Sequence, residues 1–169
     1  GGTGTQSAVL FNTASSHYEK TLTLGVSNFS VSDFNAGDKS VIMTDPNSQS
    51  GNTEPVWFDR LEMNNVVLKN NSGAYVLNFR NGANIAALSK VTALNNKTTG
   101  SALYLDLAGG DITGLTASGN TVGNYVASFA YNRFLPDSAT ASAQSGIFTL
   151  NKASVMGNTA TKSQTSGML

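Results

Sequence analysis

Short segments of alternating apolar and polar residues, each closed by a polar pair, recur along the chain. Val66-Val67-Leu68-Lys69-Asn70-Asn71 is followed by Val91-Thr92-Ala93-Leu94-Asn95-Asn96. Leu115-Thr116-Ala117-Ser118-Gly119-Asn120 and Ala153-Ser154-Val155-Met156-Gly157-Asn158 repeat the pattern. The shared template is apolar, any, apolar, any, Asn or Gly, Asn. The closing residues Asn71, Asn96, Asn120 and Asn158 lie 25, 24 and 38 residues apart. A weaker first copy, Phe29-Ser30-Val31-Ser32-Asp33-Phe34, carries Phe34 where Asn is expected and Asn35 one step late.

The flanks repeat as well. A Gly-bearing corner and a second short apolar run follow each pair, as in Ser72-Gly73-Ala74-Tyr75-Val76-Leu77, Gly100-Ser101-Ala102-Leu103-Tyr104-Leu105 and Gly123-Asn124-Tyr125-Val126-Ala127. A third run precedes each pair: Leu22 and Leu24, Leu61 and Met63, Ile85 and Leu88, Ile112, and Ile147 to Leu150. These runs are too short for helices and alternate as strands do. A period near 24 residues with three short strands and three corners predicts an all-β chain. The predicted form is a right-handed parallel β-helix, a solenoid of about five coils. Successive coils then stack at about 4.8 Å, and inward side chains pack on their equivalents one coil away. The whole of 1–169 reads as a single solenoid domain or a fragment of one, with an irregular part at 1–20. Two excursions, 44–55 and 131–145, account for the long intervals, since inserts at a corner leave the stack intact.

The recurring Asn has two physical readings. Asn tolerates left-handed backbone at a tight corner. Stacked carboxamides also bond to one another along an axis, as in cross-β ladders. Four matched copies with matched flanks favour a structural stack of Asn71, Asn96, Asn120 and Asn158.

Composition narrows the picture. Ten Lys and Arg balance ten Asp and Glu, and only 12% of residues are charged. A nucleic-acid or anionic-membrane surface needs clustered basic residues, so neither partner is expected. No apolar run reaches the 18 or more residues of a membrane-spanning helix, so membrane insertion is not expected either. The absence of Cys removes disulfides and thiolate metal sites, and His17 as the only His removes multi-His sites. No metal and no cofactor is expected. The 19 Asn and 17 Gly, with abundant Ser and Thr, lean towards an extracellular or cell-surface setting. The start, Gly1-Gly2-Thr3-Gly4-Thr5-Gln6, reads as a processed or cut terminus.

Gly157-Asn158-Thr159-Ala160-Thr161, Ser118-Gly119-Asn120-Thr121 and the Gly-Ser-Ala-Leu-Tyr of 100–104 resemble the degenerate repeats of bacterial autotransporter passengers. The nearest likeness is to the polymorphic membrane proteins, whose coils read Phe-X-X-Asn followed by Gly-Gly-Ala and an aliphatic residue. It covers about residues 60–165. Here Leu, Ala or Val replaces the Phe, and Ser-Gly-Ala or Gly-Ser-Ala replaces Gly-Gly-Ala. The resemblance implies a pectate-lyase-like β-helix, secreted and displayed at a surface as an adhesin or a tailspike-like shaft.

Candidate chemistry is sparse. Polysaccharide hydrolases need two carboxylates flanking a groove, and lyases need a base with a carboxylate-held cation. Asp106 and Asp111, either side of Ala108-Gly109-Gly110, are the best-placed acidic pair. They read as a cation or sugar-hydroxyl site or, more plainly, as solvated turn residues. Trp57, Tyr131 and Phe134 border the excursions and are candidate contacts for a sugar ring or a partner. With no catalytic set apparent, the expected function is non-enzymatic: a β-helical surface module for adhesion, or a structural or assembling rod subunit. Its expected partners are a second copy through the open solenoid ends, where strand edges stand unpaired, and a host surface or glycan. The alternative is a carbohydrate-active β-helix, a polysaccharide lyase or a tailspike-like depolymerase.

Overall fold

The computed structural model describes residues 6–11, 19–44, 58–80, 83–107, 109–131 and 147–162. These form sixteen strands, and no helix occurs among the described residues. In chain order they are β1 (Val9–Phe11), β2 (Glu19–Ser32), β3 (Ile42–Thr44), β4 (Phe58–Lys69), β5 (Ser72–Gly73), β6 (Leu77–Arg80), β7 (Ala83–Leu94) and β8 (Lys97–Thr98). Then follow β9 (Leu103–Leu107), β10 (Gly109–Thr113), β11 (Thr116–Ser118), β12 (Thr121–Val122), β13 (Ala127–Tyr131), β14 (Phe148–Asn151), β15 (Ser154–Met156) and β16 (Thr159–Ala160).

Each pass of the chain visits three sheets in turn. The first sheet runs β1-β3-β6-β9-β13, and the third runs β5-β8-β12-β16. The second has seven strands: β2, β4 and β7 continue into β10 and β11, and then into β14 and β15. Every pairing is parallel. The fold is therefore all-β with parallel sheets, an arrangement compatible with a β-solenoid. Even the first pass, which has no strand in the third sheet, bridges Asn35 to Ser72 in parallel.

Register follows the inward apolar positions, because a slip of one residue would turn every one of them outward. In the second sheet Val26, Met63, Leu88, Ile112 and Leu150 are successive partners. Val31, Leu68, Ala93, Ala117 and Val155 make a second column. In the first sheet the column is Val9, Ile42, Leu77, Leu103 and Ala127. Their middle members are almost fully buried and form one continuous core, where Phe11 and Phe79 meet edge to face at 6.0 Å. Each of the Leu, Ile and Met side chains among them contributes roughly 1.5–3 kcal/mol by leaving water.

The structure departs from the sequence pattern in the second sheet. The runs around Leu61 and Val66, expected as two strands, are one strand, β4, kinked at Asn65. The kink residue of every pass has left-handed backbone: Asn28, Asn65, Lys90, Gly114 and Lys152, with φ between 53° and 71°. A second left-handed column, Asp33, Asn70, Asn95, Gly119 and Gly157, stands immediately before the ladder position. Such residues turn the chain while neighbouring ladder bonds persist on either side. Asn and Gly adopt that conformation at least cost, which explains the "Asn or Gly" half of the repeated pair. The third sheet, in turn, is built from Ser72-Gly73 and its equivalents, which the sequence presents as corners.

The stretch 1–20 is not wholly irregular: β1 lies within it, and Ala8 and Val9 donate to the Val41 carbonyl at 2.8 and 3.1 Å. Three residues are too few to announce a strand without the partner that orders them. Of the two excursions, Thr44 closes β3 and Tyr131 closes β13, while 45–57 and 132–146 lie outside the described residues.

Candidate functional site

Asn71, Asn96 and Asn120 are each about 1% exposed, and they stand in file with Asn158 at the corner between the second and third sheets. The oxygens of Asn96, Asn120 and Asn158 each accept two bonds from the pass before. Asn96 Oδ1 receives the Asn71 backbone N–H at 2.9 Å and its Nδ2 at 3.1 Å. Asn120 Oδ1 receives both from Asn96 at 2.9 Å. Asn158 Oδ1 receives them from Asn120 at 2.9 and 2.8 Å. Each Nδ2 also donates backwards to a main-chain carbonyl one pass away: Val31, Leu68, Ala93 and Ala117 in turn, at 2.9–3.0 Å. A carboxamide has two donors and an oxygen that accepts twice, so the buried rungs Asn96 and Asn120 are satisfied in full.

Phe34 occupies the first rung. Its backbone N–H donates to Asn71 Oδ1 at 3.0 Å, but its side chain carries no amide to extend the file. Asn35, one step late, instead bridges to Ser72 in the third sheet. The "late" Asn is thus a different structural position from the rungs.

The other candidates are dispersed. Asp106, on β9, is in register with Arg80 on β6 and Ala130 on β13, and is 8% exposed. Asp111 is exposed on β10, where its carboxylate accepts the Thr149 hydroxyl at 2.8 Å. The two occupy different sheets on either side of Ala108, each within its own column. Tyr131 is the last residue of β13, opposite Leu107. Trp57, Phe134 and His17 lie outside the described residues. Among the described residues, no group of three or more His, Cys, Asp or Glu is arranged to hold a metal ion. Among the described residues, no helix is long and apolar enough to cross a membrane.

Two of the exposed carboxylates bond along the outer face of the stack. Asp33 accepts from Asn70 Nδ2 at 3.0 Å, and Glu62 accepts from Arg60 at 2.8 Å within the same strand. The feature no sequence motif marks is a cavity at the last described pass. It holds about 590 Å³ and is lined by residues of the last two passes, among them Ile112, Leu115, Phe148 and Leu150.

A scan against protein-family models, a search of curated proteins and a search of solved structures each return no match for this chain.

Proposed function

We propose that the chain is a right-handed parallel β-helix serving as a non-enzymatic extracellular surface module, for adhesion or as a structural rod. The observation that carries this is the asparagine file. The most regular chemistry on the molecule, repeated in pass after pass, is spent on rigidity along one axis. Parallel crossovers are right-handed in the great majority of cases, which supports the hand. The likeness of Ser118-Gly119-Asn120-Thr121 and its equivalents to autotransporter passengers supports a cell-surface setting. A rod of this kind presents flat polar faces along its sides and open strand edges at its ends, and it meets its partners there.

One observation favours a second reading. Asp106 is a buried carboxylate at a strand position whose neighbour Tyr104 packs on Tyr75 with ring centroids 5.4 Å apart. A carboxylate beside aromatic rings suits a carbohydrate-active surface. Incubation with a panel of polysaccharides separates the two. The rod-module reading expects no new reducing or unsaturated ends. Turnover that disappears in Asp106→Asn or Asp111→Asn would establish the enzyme instead.

A further inference from the structure

We infer that the outer face of the second sheet binds an acidic polysaccharide along its kink column, a polyhydroxyl chain bearing repeated carboxylate or sulfate groups. The inference rests on the rod-module reading above and gives its adhesive role a ligand class.

The kink column changes chemistry as it crosses the stack. Its first two members, Asn28 and Asn65, bond to each other through their amides at 2.8 Å. Its later members are Lys90, Gly114 and Lys152. Both lysines are exposed, and both hold left-handed backbone with φ of 54°. That conformation favours Asn and Gly, so the kink itself does not call for lysine. Gly114 lies directly over Lys90: a Cβ there would stand 3.6 Å from the Lys90 backbone nitrogen. With a side-chain-free residue between them, the two lysines start about 10 Å apart, two strand spacings. Lys69, opposite Leu94, adds a third exposed cation to the same face.

Among the described residues, none of these three has a carboxylate within ion-pair distance. Lys39 and Arg60, by contrast, meet Asp38 at 3.9 Å and Glu62 at 2.8 Å. The carboxylates of this face keep to a different column. Glu62 and Asp111 are both in register with Ala87, and each is engaged, by Arg60 and by the Thr149 hydroxyl.

Hydroxyl and amide groups flank the lysine line. On one side Ser89, Thr113 and Asn151 stand in register, and on the other Thr92, Thr116 and Ser154. All six are exposed or half-buried, and none spends its side chain on a bond to another described residue. A sugar hydroxyl both donates and accepts, so it matches each of them. A midline of cations between two rows of such groups suits a chain that alternates anionic groups with hydroxyls. Nucleic acid suits it less. The two rows carry no aromatic ring on which a base could stack, and three cations neutralise few phosphates. Nor do the rows offer an apolar side chain to enter a bilayer.

The test is calorimetric titration of the folded protein with polygalacturonate, dextran sulfate and neutral dextran, at low and high salt. Acidic polymer should bind, more weakly as salt rises, and neutral dextran should not. Binding of only one acidic polymer would support the inference and name the anionic group. Lys90→Asn and Lys152→Asn install a residue suited to the backbone there, and each should weaken binding roughly 3-fold. The double variant should lose roughly 10-fold. Lys39→Ala, at a different corner, should change nothing, with circular dichroism checking every fold. Asp111→Asn removes a like charge beside the ligand and should tighten binding about 2-fold. Lysine variants that bind as wild type does would overturn the inference. So would neutral dextran binding as tightly as the acidic polymers, or no binding of either acidic polymer. A DNA duplex bound as tightly, with the same dependence on Lys90 and Lys152, would make a phosphate backbone the occupant and overturn it too. Should the lysine variants not fold, Asp111→Asn decides alone, and an unchanged affinity overturns the inference. Cleavage of the polymers would sink the rod-module reading and leave these affinities to judge the inference, whereas absent binding would leave the structural rod standing.

Discussion

Replacing Asn96 with alanine should lower the free energy of unfolding by about 3–5 kcal/mol, a large share of the stability of a domain this size. The loss exceeds that of one hydrogen bond because the amide serves three neighbours. Asn71 would lose the acceptor of both its N–H and its Nδ2, and the Leu68 carbonyl would lose its donor. Asn71 and Leu68 are buried, so water does not compensate. Each orphaned buried group costs roughly 1–3 kcal/mol. Asn64→Ala makes the control, since Asn64 is exposed on the outer face of the same sheet. Its effect should stay within about 0.5 kcal/mol. Urea titration reads both, as a shift of midpoint at constant slope. Equal effects at 96 and 64 would show that the file of amides does not hold the stack together.

The second large effect lies at the next corner. Gly123 is buried where the chain leaves β12, and its N–H donates to the Gly100 carbonyl at 2.9 Å. A Cβ on Gly123 would fall on the main-chain carbonyl of Thr99, one pass below. No rotamer relieves a clash between two backbones. The corner has to lift, and lifting strains the Asn96–Asn120 bonds a few residues away. Gly123→Ala should therefore cost about 3 kcal/mol or more, which corresponds to a fall of roughly 6–12 °C in thermal midpoint. Gly25→Ala provides the contrast. Its Cβ would meet nothing within 4 Å, and the substitution reduces only the freedom of the unfolded chain. The midpoint should hold or rise slightly.

Much of this architecture is legible in the sequence because a stacked fold repeats its demands. The intervals between the closing Asn residues equal the separations of the ladder bonds: 25, 24 and 38 residues. Even the misfit at Phe34 was informative, since its backbone occupies the first rung while its side chain ends the file. The kink column was not legible. Asn65, Lys90, Gly114 and Lys152 share a backbone conformation and no side-chain chemistry, so no motif marks them. The third sheet escaped notice because two-residue strands such as Ser72-Gly73 look like turns until neighbours pair with them. The burial of Asp106 was equally hidden. Charge placement on an outer face depends on what crosses it, which no local pattern records. Phe129 sits in an inward column opposite Leu105, yet it is exposed because its coil is the last of the described stack.

The direction and register of the strands decide between this account and a sandwich of antiparallel strands. The chain has no Cys of its own, so pairs of introduced cysteines report contacts without interference. Ser89 faces Thr113, and Thr92 faces Thr116, across β7, β10 and β11. Residues in register on adjacent strands stand about 5 Å apart, within the span of a disulfide. Under mild oxidation, cysteines at 89 and 113 should cross-link, and so should cysteines at 92 and 116. The crossed pairs, 89 with 116 and 92 with 113, should not. Efficient linking of the crossed pairs in place of the matched ones would mean that these strands run in opposite directions, and the stacked account would fall.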